Sequence, residues 1–594
     1  MPTSSPRSAS LHYKVEAADL HAHLFRVTLT VDQPEVQQQV SLPVWIPGSY
    51  LVREFSRNLQ RLSARQQGKP VAVRQQDKSH WQIDCVPSSP LVLTYEVYAY
   101  DNSVRTAWLD AARGFFNGTS LCLKVHGQES RVHALEVLSS RAMGHWQVAT
   151  GLAPYKVNKR GFGIYLAADY DELVDCPVEL GTFWSGEFKA AGVPHRLVVA
   201  GAAESFDSAR LLADAQKICE AEMRFWHGRQ GAASRAGKRP PFKSYLFMLS
   251  VVDDGYGGLE HRNCTALIAS RRDLPRLGES RMSDGYITLL GLVSHEYFHT
   301  WNVKRLRPAE FTHYDYSAEN YTQLLWFFEG FTSYYDDLLL RRAGLIDDAG
   351  YLKLLNKTIN QVLQTPGREV QSAAQASFDA WVKYYRQDEN TANATVSYYT
   401  KGSLVALCFD LMLRAEGRSS LDDVMRALWL RCKAGPMTEA DFAAVLRELG
   451  GRSFGRELAA WVHGTRELPL EELLQKSGVV VLEEPAQLAQ RLGIRVIETS
   501  GVQIKQVLRG GAAEAAGIAA NDEWVGVEVA GCGWRITKLD DLQLYAGSHK
   551  KIFAVVARDR RLLRLELALP PAVTTWRLVL RDAALAQPWL GASH

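Results

Sequence analysis

The sequence predicts a multidomain α+β protein, and three observations predict it. Its 594 residues exceed what one hydrophobic core supports, since domains usually run on the order of 100–200 residues. Residues 11 to about 180 read as strand after strand, whereas the chain from Ser283 to about Leu474 carries helical periodicity. After Glu483-Glu484-Pro485 strand-like text returns until about Leu580. The expected domains are an all-β, sandwich-like domain over 1–185, a mixed domain with a helical second half over 186–474, and a β-rich domain with a tail over 475–594.

In the first domain, Leu24–Val31 and Leu91–Tyr98 alternate Val, Thr and aromatic residues between Pro/Gly/Ser punctuation. Pro47-Gly48-Ser49-Tyr50 reads as a turn. In the second, Leu197–Ala200 reads as a strand and Ser208–Trp226 as an amphipathic helix. A Gly/Ala/Arg/Pro loop spans 228–241, and a strand over Ser244–Val252 leads into Gly255–Gly258. The predicted helices then cover Ile287–Trp301, Gln323–Arg342, Leu352–Gln364, Lys401–Arg414, Leu421–Cys432 and Glu439–Leu449. In the third, Gly510-Gly511-Ala512-Ala513-Glu514-Ala515-Ala516-Gly517-Ile518 reads as a short helix flanked by glycines.

Charge is balanced: 68 Lys and Arg against 65 Asp and Glu leave a net +3. That argues against a strongly basic nucleic-acid binder and against an acidic disordered tail. Hydrophobic content of 46%, with 15 Trp and 23 Tyr, is that of chains that pack. The eight cysteines form no C-x-x-C pair, so a cysteine zinc site is not expected, and they are too sparse for a disulfide scaffold. The start, Met1 to Ser10, has no apolar stretch behind it and no run of about 18 apolar residues occurs elsewhere. The expectation is a cytoplasmic protein with no membrane and no nucleic-acid partner.

The chemistry concentrates at Ser294-His295-Glu296-Tyr297-Phe298-His299-Thr300-Trp301-Asn302. On a helix, His295 and His299 project from one face, and two imidazoles one turn apart suit a tetrahedral zinc ion. Glu296 beside them can take a proton from water. Taken alone, H-E-x-x-H also arises by chance, so a third ligand matters. Leu325-Trp326-Phe327-Phe328-Glu329-Gly330-Phe331 places an acid among large apolar residues, where burial is costly unless something neutralises it. Asp336, seven residues on, reads as a surface acid or as a partner to a ligand histidine.

The runs around His295 and around Glu329-Gly330-Phe331 resemble the gluzincin peptidases related to aminopeptidase N, whose third ligand is the Glu of an E-G-F-like helix. More closely, His295–Pro308 and Trp326–Asp337, with the all-β start and the C-terminal module, resemble the glycyl aminopeptidase family. The resemblance implies a thermolysin-like zinc peptidase domain, one Zn2+ per chain held by His295, His299 and Glu329, and removal of small N-terminal residues, glycine or alanine, from peptides with a free N-terminus. The shorter ligand interval of aminopeptidase N would fit Glu319 instead, but Glu319 sits in polar, loop-like text.

The same resemblance assigns further roles. Gly257-Gly258-Leu259-Glu260-His261 is similar to the amine-anchoring motif G-x-M-E-N: the glycines admit a substrate backbone to a strand edge and Glu260 pairs with the α-ammonium. His261 stands where that motif has Asn. Ser397-Tyr398-Tyr399-Thr400-Lys401-Gly402 is similar to the Y-x-K-G segment, which makes Tyr399 the oxyanion donor, with Tyr398 the adjacent competitor. Leu492-Gly493-Ile494-Arg495-Val496, the Ala-rich run and Asn521-Asp522-Glu523-Trp524-Val525 resemble a PDZ domain, whose groove takes a peptide C-terminus by strand addition; a structural cap is the other reading. Trp45–Tyr50 and Trp108–Thr119, with Arg105, Asp110 and Asn117, resemble the family's N-terminal domain. Two other functions stay open: a zinc endopeptidase with Glu260 uninvolved, and a non-catalytic peptide-binding scaffold. Because every candidate catalytic residue precedes Glu484, a chain ending there is expected to keep its zinc.

Overall fold

A computed structural model describes residues 9–228, 240–571 and 574–591; most of the predicted 228–241 loop lies outside them. Two compact units emerge. One runs to Tyr321 and includes Cys432–Met437; the other comprises Thr322–Arg431 and the described residues from Thr438 onward.

The first unit opens with strands whose alternating pattern buries one face. Leu11–Asp19 turns Leu11, Tyr13 and Val15 inward, and its register sets Tyr13 opposite Leu29, which in turn faces Leu93. These strands lie within an eight-stranded sheet. Two four-stranded sheets contribute Val40, Trp81 and Ile83, and Phe115, Val178 and Leu180, to the same apolar core. The sheet is not purely antiparallel, since Leu11–Asp19 pairs in parallel with His133–Val137. Three buried tyrosines tie the core to one irregular segment: Tyr13, Tyr95 and Tyr170 donate to the carbonyls of Leu123, Leu121 and Cys122 at 2.7, 2.6 and 2.8 Å. The Pro47-Gly48 turn is present; Ser49 N–H donates to Ile46 O at 3.1 Å, and Gly48 takes φ 92°, a left-handed conformation that favours glycine.

A five-stranded sheet completes this unit, in the order Phe183–Ala190, Val193–Ala200, Tyr245–Val252, Cys264–Ser270, Tyr256–Glu260. Val193–Ala200 and Tyr245–Val252 run parallel across the helix Ser208–His227. Tyr245–Val252 is buried almost throughout, as expected of a strand covered on both faces. Tyr256–Glu260 is the edge strand, and its Leu259 packs into the apolar core of the N-terminal sheets. The motif helix spans Asp284–Phe298, three residues earlier than its periodicity predicts. Ser283 accepts a hydrogen bond from Tyr286 N–H at 3.0 Å and starts it there.

The second unit is helical up to Lys476. Its longest helices, Leu325–Arg342 and Tyr398–Ala415, cross where Gly330 meets Gly402: a Cβ on Gly330 would lie 2.5 Å from the Gly402 Cα. Tyr398–Ala415 starts three residues before the predicted Lys401, capped by Ser397, which puts both candidate tyrosines in its first turn. The C-terminal β-region holds a sheet ordered Ile494–Ile497, Val502–Val507, Glu523–Val529, Lys551–Arg558, Arg561–Ala568. It is bracketed by an antiparallel pair, Val479–Pro485 with Thr574–Leu580, and the chain then forms the helix Ala583–Leu590. No disulfide joins the eight cysteines. Among the described residues no helix is long and apolar enough to cross a membrane.

Candidate metal centre and active site

The motif helix delivers His295, Glu296 and His299, the last as its C-cap. The Nε2 atoms of the two histidines face each other at 3.0 Å. His299 Nδ1–H donates to the Asn302 carbonyl at 2.8 Å; a carbonyl only accepts, so this bond puts the proton on Nδ1 and leaves Nε2 a lone pair. Glu329 is 2% exposed among Trp326, Phe327, Phe328 and Phe331, all fully buried. His295, His299 and Glu329 each bring one donor atom into a group whose members lie within 4.8 Å of one another. Among the described residues it is the one such cluster, and Glu319 is outside it. Two imidazole nitrogens and a buried carboxylate are the donor chemistry zinc takes in a site that keeps an open position, so the residues present fit the ion.

Glu296 is 5% exposed and lies flat against the edge strand: a Cβ on Gly258 would overlap its carboxylate. Glycine is therefore required at 258 for Glu296 to sit where it does. Two residues on, Glu260 is 4% exposed. The Pro47-Gly48 turn closes over it, with a Cβ on Gly48 only 2.5 Å from Glu260 Oε2. In the second unit, the Tyr399 hydroxyl lies 3.5 Å from that of Tyr385. Burial, and then the negative charge of Glu329, push the Tyr399 phenol well above its usual range and keep it a donor. Tyr398 is fully buried and stacks on Tyr399 at 4.7 Å between ring centres.

Residues 288–405 match the family model described as M61 glycyl aminopeptidase, and residues 12–182 match the Peptidase M61 N-terminal domain. A crystal structure of an aminopeptidase N family protein from Idiomarina loihiensis is similar over 98% of this chain and 100% of that one, at 36% identity and a TM-score of 0.92. The chain belongs to the M61 glycyl aminopeptidase family. As a glycyl aminopeptidase of that family it is a zinc metallopeptidase, and its His295–His299–Glu329 group is consistent with an H-E-x-x-H zinc site. More distant likenesses include an M1 zinc metallopeptidase from Deinococcus radiodurans (15% identity, 77% of this chain and 94% of that one, TM-score 0.46). Legionella pneumophila aminopeptidase A in complex with aspartic acid is another (11%, 96% and 58%, TM-score 0.47). No curated protein matches the chain.

Around this glycyl aminopeptidase site the sequence left the role of His261 open and gave no signal for Asp175, Lys304, Tyr384 or Tyr385. His261 does not face solvent: it is 1% exposed, and its Nδ1 lies 3.3 Å from Asp175. Lys304, just past the motif helix, reaches the same carboxylate at 2.6 Å. Burial works against an ionised Asp175, but Lys304 and then His261 outweigh it and hold the carboxyl well below its ordinary range. Lys304 feels the charge of Asp175 first and of Glu260 more weakly, so this buried cluster adjoins the candidate anchor. Asp175 is 86 residues from His261, a separation no local pattern reveals. Tyr384 packs on Tyr398 and Tyr399 at 4.9 and 5.5 Å between ring centres; with Tyr385 it joins the phenolic cluster that sequence reasoning reduced to a choice between two. Asp336 is half-buried on the Glu329 helix.

Proposed function

We propose that this chain removes a small N-terminal residue, glycine first, from peptides with a free N-terminus, using one zinc ion per chain. The observation that carries the reading is the pairing of a His-His-Glu donor group with a carboxylate, Glu296, pressed against a glycine of an edge strand. Held by His295, His299 and Glu329, zinc would act as a Lewis acid on water and on the scissile carbonyl. Glu296 accepts the proton of the attacking water and returns it to the departing amine. Tyr399 donates its phenolic proton in a hydrogen bond to the carbonyl oxygen as that oxygen becomes negative. Glu260 pairs with the α-ammonium, and the absence of side chains at Gly257 and Gly258 lets the extended substrate approach the strand edge closely. The glycyl description of the family model and the close approach of Gly48 to Glu260 support a small first residue.

The C-terminal sheet is proposed as a PDZ-like module taking a peptide C-terminus. In support, Ile494–Ile497 is an edge strand that follows Gly493 in the left-handed conformation. Asn521 replaces the glycine usual in such modules, and it too is left-handed, φ 69°, which asparagine tolerates better than most residues.

The deciding experiment is hydrolysis of glycyl chromogenic amides, free and N-acetylated, by wild type and Glu260→Ala, each with zinc and with chelator. The expected result is chelator-sensitive activity confined to the free amine and a fall of roughly thirty- to several-thousand-fold in kcat/KM for Glu260→Ala with zinc retained. Equal cleavage of blocked substrates would replace the exopeptidase with an endopeptidase.

A further inference from the structure

One side of the edge strand Tyr256–Glu260 holds an arginine that the mechanism above does not use. The hairpin register pairs Glu260 with Thr265 and Gly258 with Leu267. At its end His261 N–H donates to the Cys264 carbonyl at 3.1 Å. Bonded and non-bonded pairs alternate along an antiparallel ladder, so His261, Leu259 and Gly257 direct their backbone groups toward Cys264–Ser270. The Thr265 hydroxyl, donating to Leu259 O at 2.9 Å, agrees. Gly258 and Glu260 therefore point their N–H and C=O groups outward, to the open edge.

Arg105, from the loop after the strand Leu91–Tyr98, comes to that edge. Its Nη2 donates to the Gly258 carbonyl at 2.9 Å, and its Nη1 lies 3.4 Å from where a Cβ on Gly257 would be. Among the described residues no carboxylate pairs with this guanidinium, and its Nε is buried with no hydrogen-bond partner. An arginine charge taken partly out of water, with a donor unsatisfied, is stabilised by a carboxylate, which its planar fork matches. Strand residues advance about 3.4 Å each, so Gly258 and Gly257 stand about 7 and 10 Å from Glu260 along the edge. Those are about the distances from α-ammonium to α-carboxylate in an extended dipeptide and tripeptide.

We propose that Arg105 binds the substrate's α-carboxylate, so that glycyl di- and tripeptides with a free C-terminus are the favoured substrates. They are held at both charged ends. The inference rests on Glu260 being the amine anchor. The step is recognition only; no bond beyond the scissile one changes.

The test compares kcat/KM for glycyl peptides of two to five residues as free acids and as C-terminal amides, with wild type, Arg105→Gln and Arg105→Lys. Zinc content and thermal melting serve as controls. Wild type should favour the acid over the amide of the same di- or tripeptide by about tenfold or more, mainly through KM, with the advantage gone by five residues. Arg105→Gln should collapse that ratio toward one, and Arg105→Lys should keep part of it. A wild-type ratio near one overturns the proposal, as does an Arg105→Gln variant that loses acid and amide activity equally, which would make Arg105 a strut for the Gly258 carbonyl. Should Arg105→Gln fail to fold, the wild-type ratio and Arg105→Lys decide. Cleavage of N-acetylglycyl peptides as readily as free ones would sink the Glu260 reading by itself, whatever the acid-to-amide ratio.

Discussion

A single methyl group would displace the Glu296 carboxylate, the proposed general base, from its seat. A Cβ at Gly258 would overlap the Glu296 carboxylate, and the carboxylate cannot retreat without leaving the strand it lies against. Gly258→Ala is therefore expected to lower kcat by about a hundredfold or more while zinc stays bound, approaching the loss of Glu296→Gln. Zinc analysis with steady-state kinetics on glycyl amides checks both, and near-normal turnover in the alanine variant would mean that Glu296 works from another position. The tyrosine pair is resolved in the same way. Tyr399, whose phenol burial and then the charge of Glu329 push well above its usual range, should lose roughly a hundredfold in kcat as Phe with little change in KM. Tyr398→Phe should leave kcat/KM within a few-fold, and the reverse pattern would shift the assignment by one residue.

At the scale of elements, the helices carrying Glu329 and Tyr399 owe their approach to two glycines. A Cβ on Gly330 meets the Gly402 Cα at 2.5 Å and the Tyr398 carbonyl at 3.0 Å, both backbone atoms that cannot swing aside. Gly330→Ala should thus force the helices apart. A destabilisation of about 1–3 kcal/mol is expected, read as a lower Tm, with weaker zinc retention because Glu329 is the preceding residue. An unchanged Tm and zinc content would show that the crossing has slack. In the N-terminal domain, the strand His133–Val137 begins with a fully buried imidazole whose Nδ1 donates to the Arg131 carbonyl at 2.7 Å. Burial lowers its pKa to about 4. Because the folded value lies below the unfolded one, near 6.5, the unfolded chain binds the proton first. His133 should cost no stability above about pH 6.5 and withdraw about 3 kcal/mol as pH falls toward 4. Denaturant titrations of His133→Gln across that window should show a flatter dependence than wild type.

The whole chain returns to its own middle. The closing strand Thr574–Leu580 pairs with Val479–Pro485, and Trp576 exchanges backbone hydrogen bonds with the Asn360 side chain at 2.9 and 2.8 Å. In the final helix Trp589 is 1% exposed; its Nε1 donates to the Tyr334 hydroxyl at 2.9 Å, and its carbonyl accepts from Arg342 at 2.9 Å. Tyr334 and Arg342 lie on the Glu329 helix. The expectation that a chain ending at Glu484 keeps its zinc therefore changes: the cut removes a buried tryptophan that makes two hydrogen bonds to that helix. We expect such a chain to melt several degrees lower or more and to lose zinc. Replacing residues 486–573 by a short turn, which keeps the closing strand and helix, should spare both. Equal stability of the two deletions would argue that the closing segment contributes little.

Local chemistry is legible in the amino-acid sequence. The i,i+4 spacing of His295 and His299 is a property of one helix turn, and Glu329 is marked by the aromatic residues on either side of it, so these candidates stand out from their neighbours in the chain, while their reading as a ligand set came with the family resemblance. Helix and strand types follow from periodicity for the same reason, although their ends moved by about a turn where a cap such as Ser283 or Ser397 intervened. What tertiary structure alone decided are meetings between distant residues: Gly258 with Glu296, Gly48 with Glu260, Asp175 with Lys304 and His261, Gly330 with Gly402, and Arg105 with the edge carbonyl of Gly258. Each depends on close approach across a fold, where the signal is a missing Cβ or a buried charge. Neither has a period along the chain, so the sequence by itself determined which residues could do the chemistry, and the packing determined what stands against them.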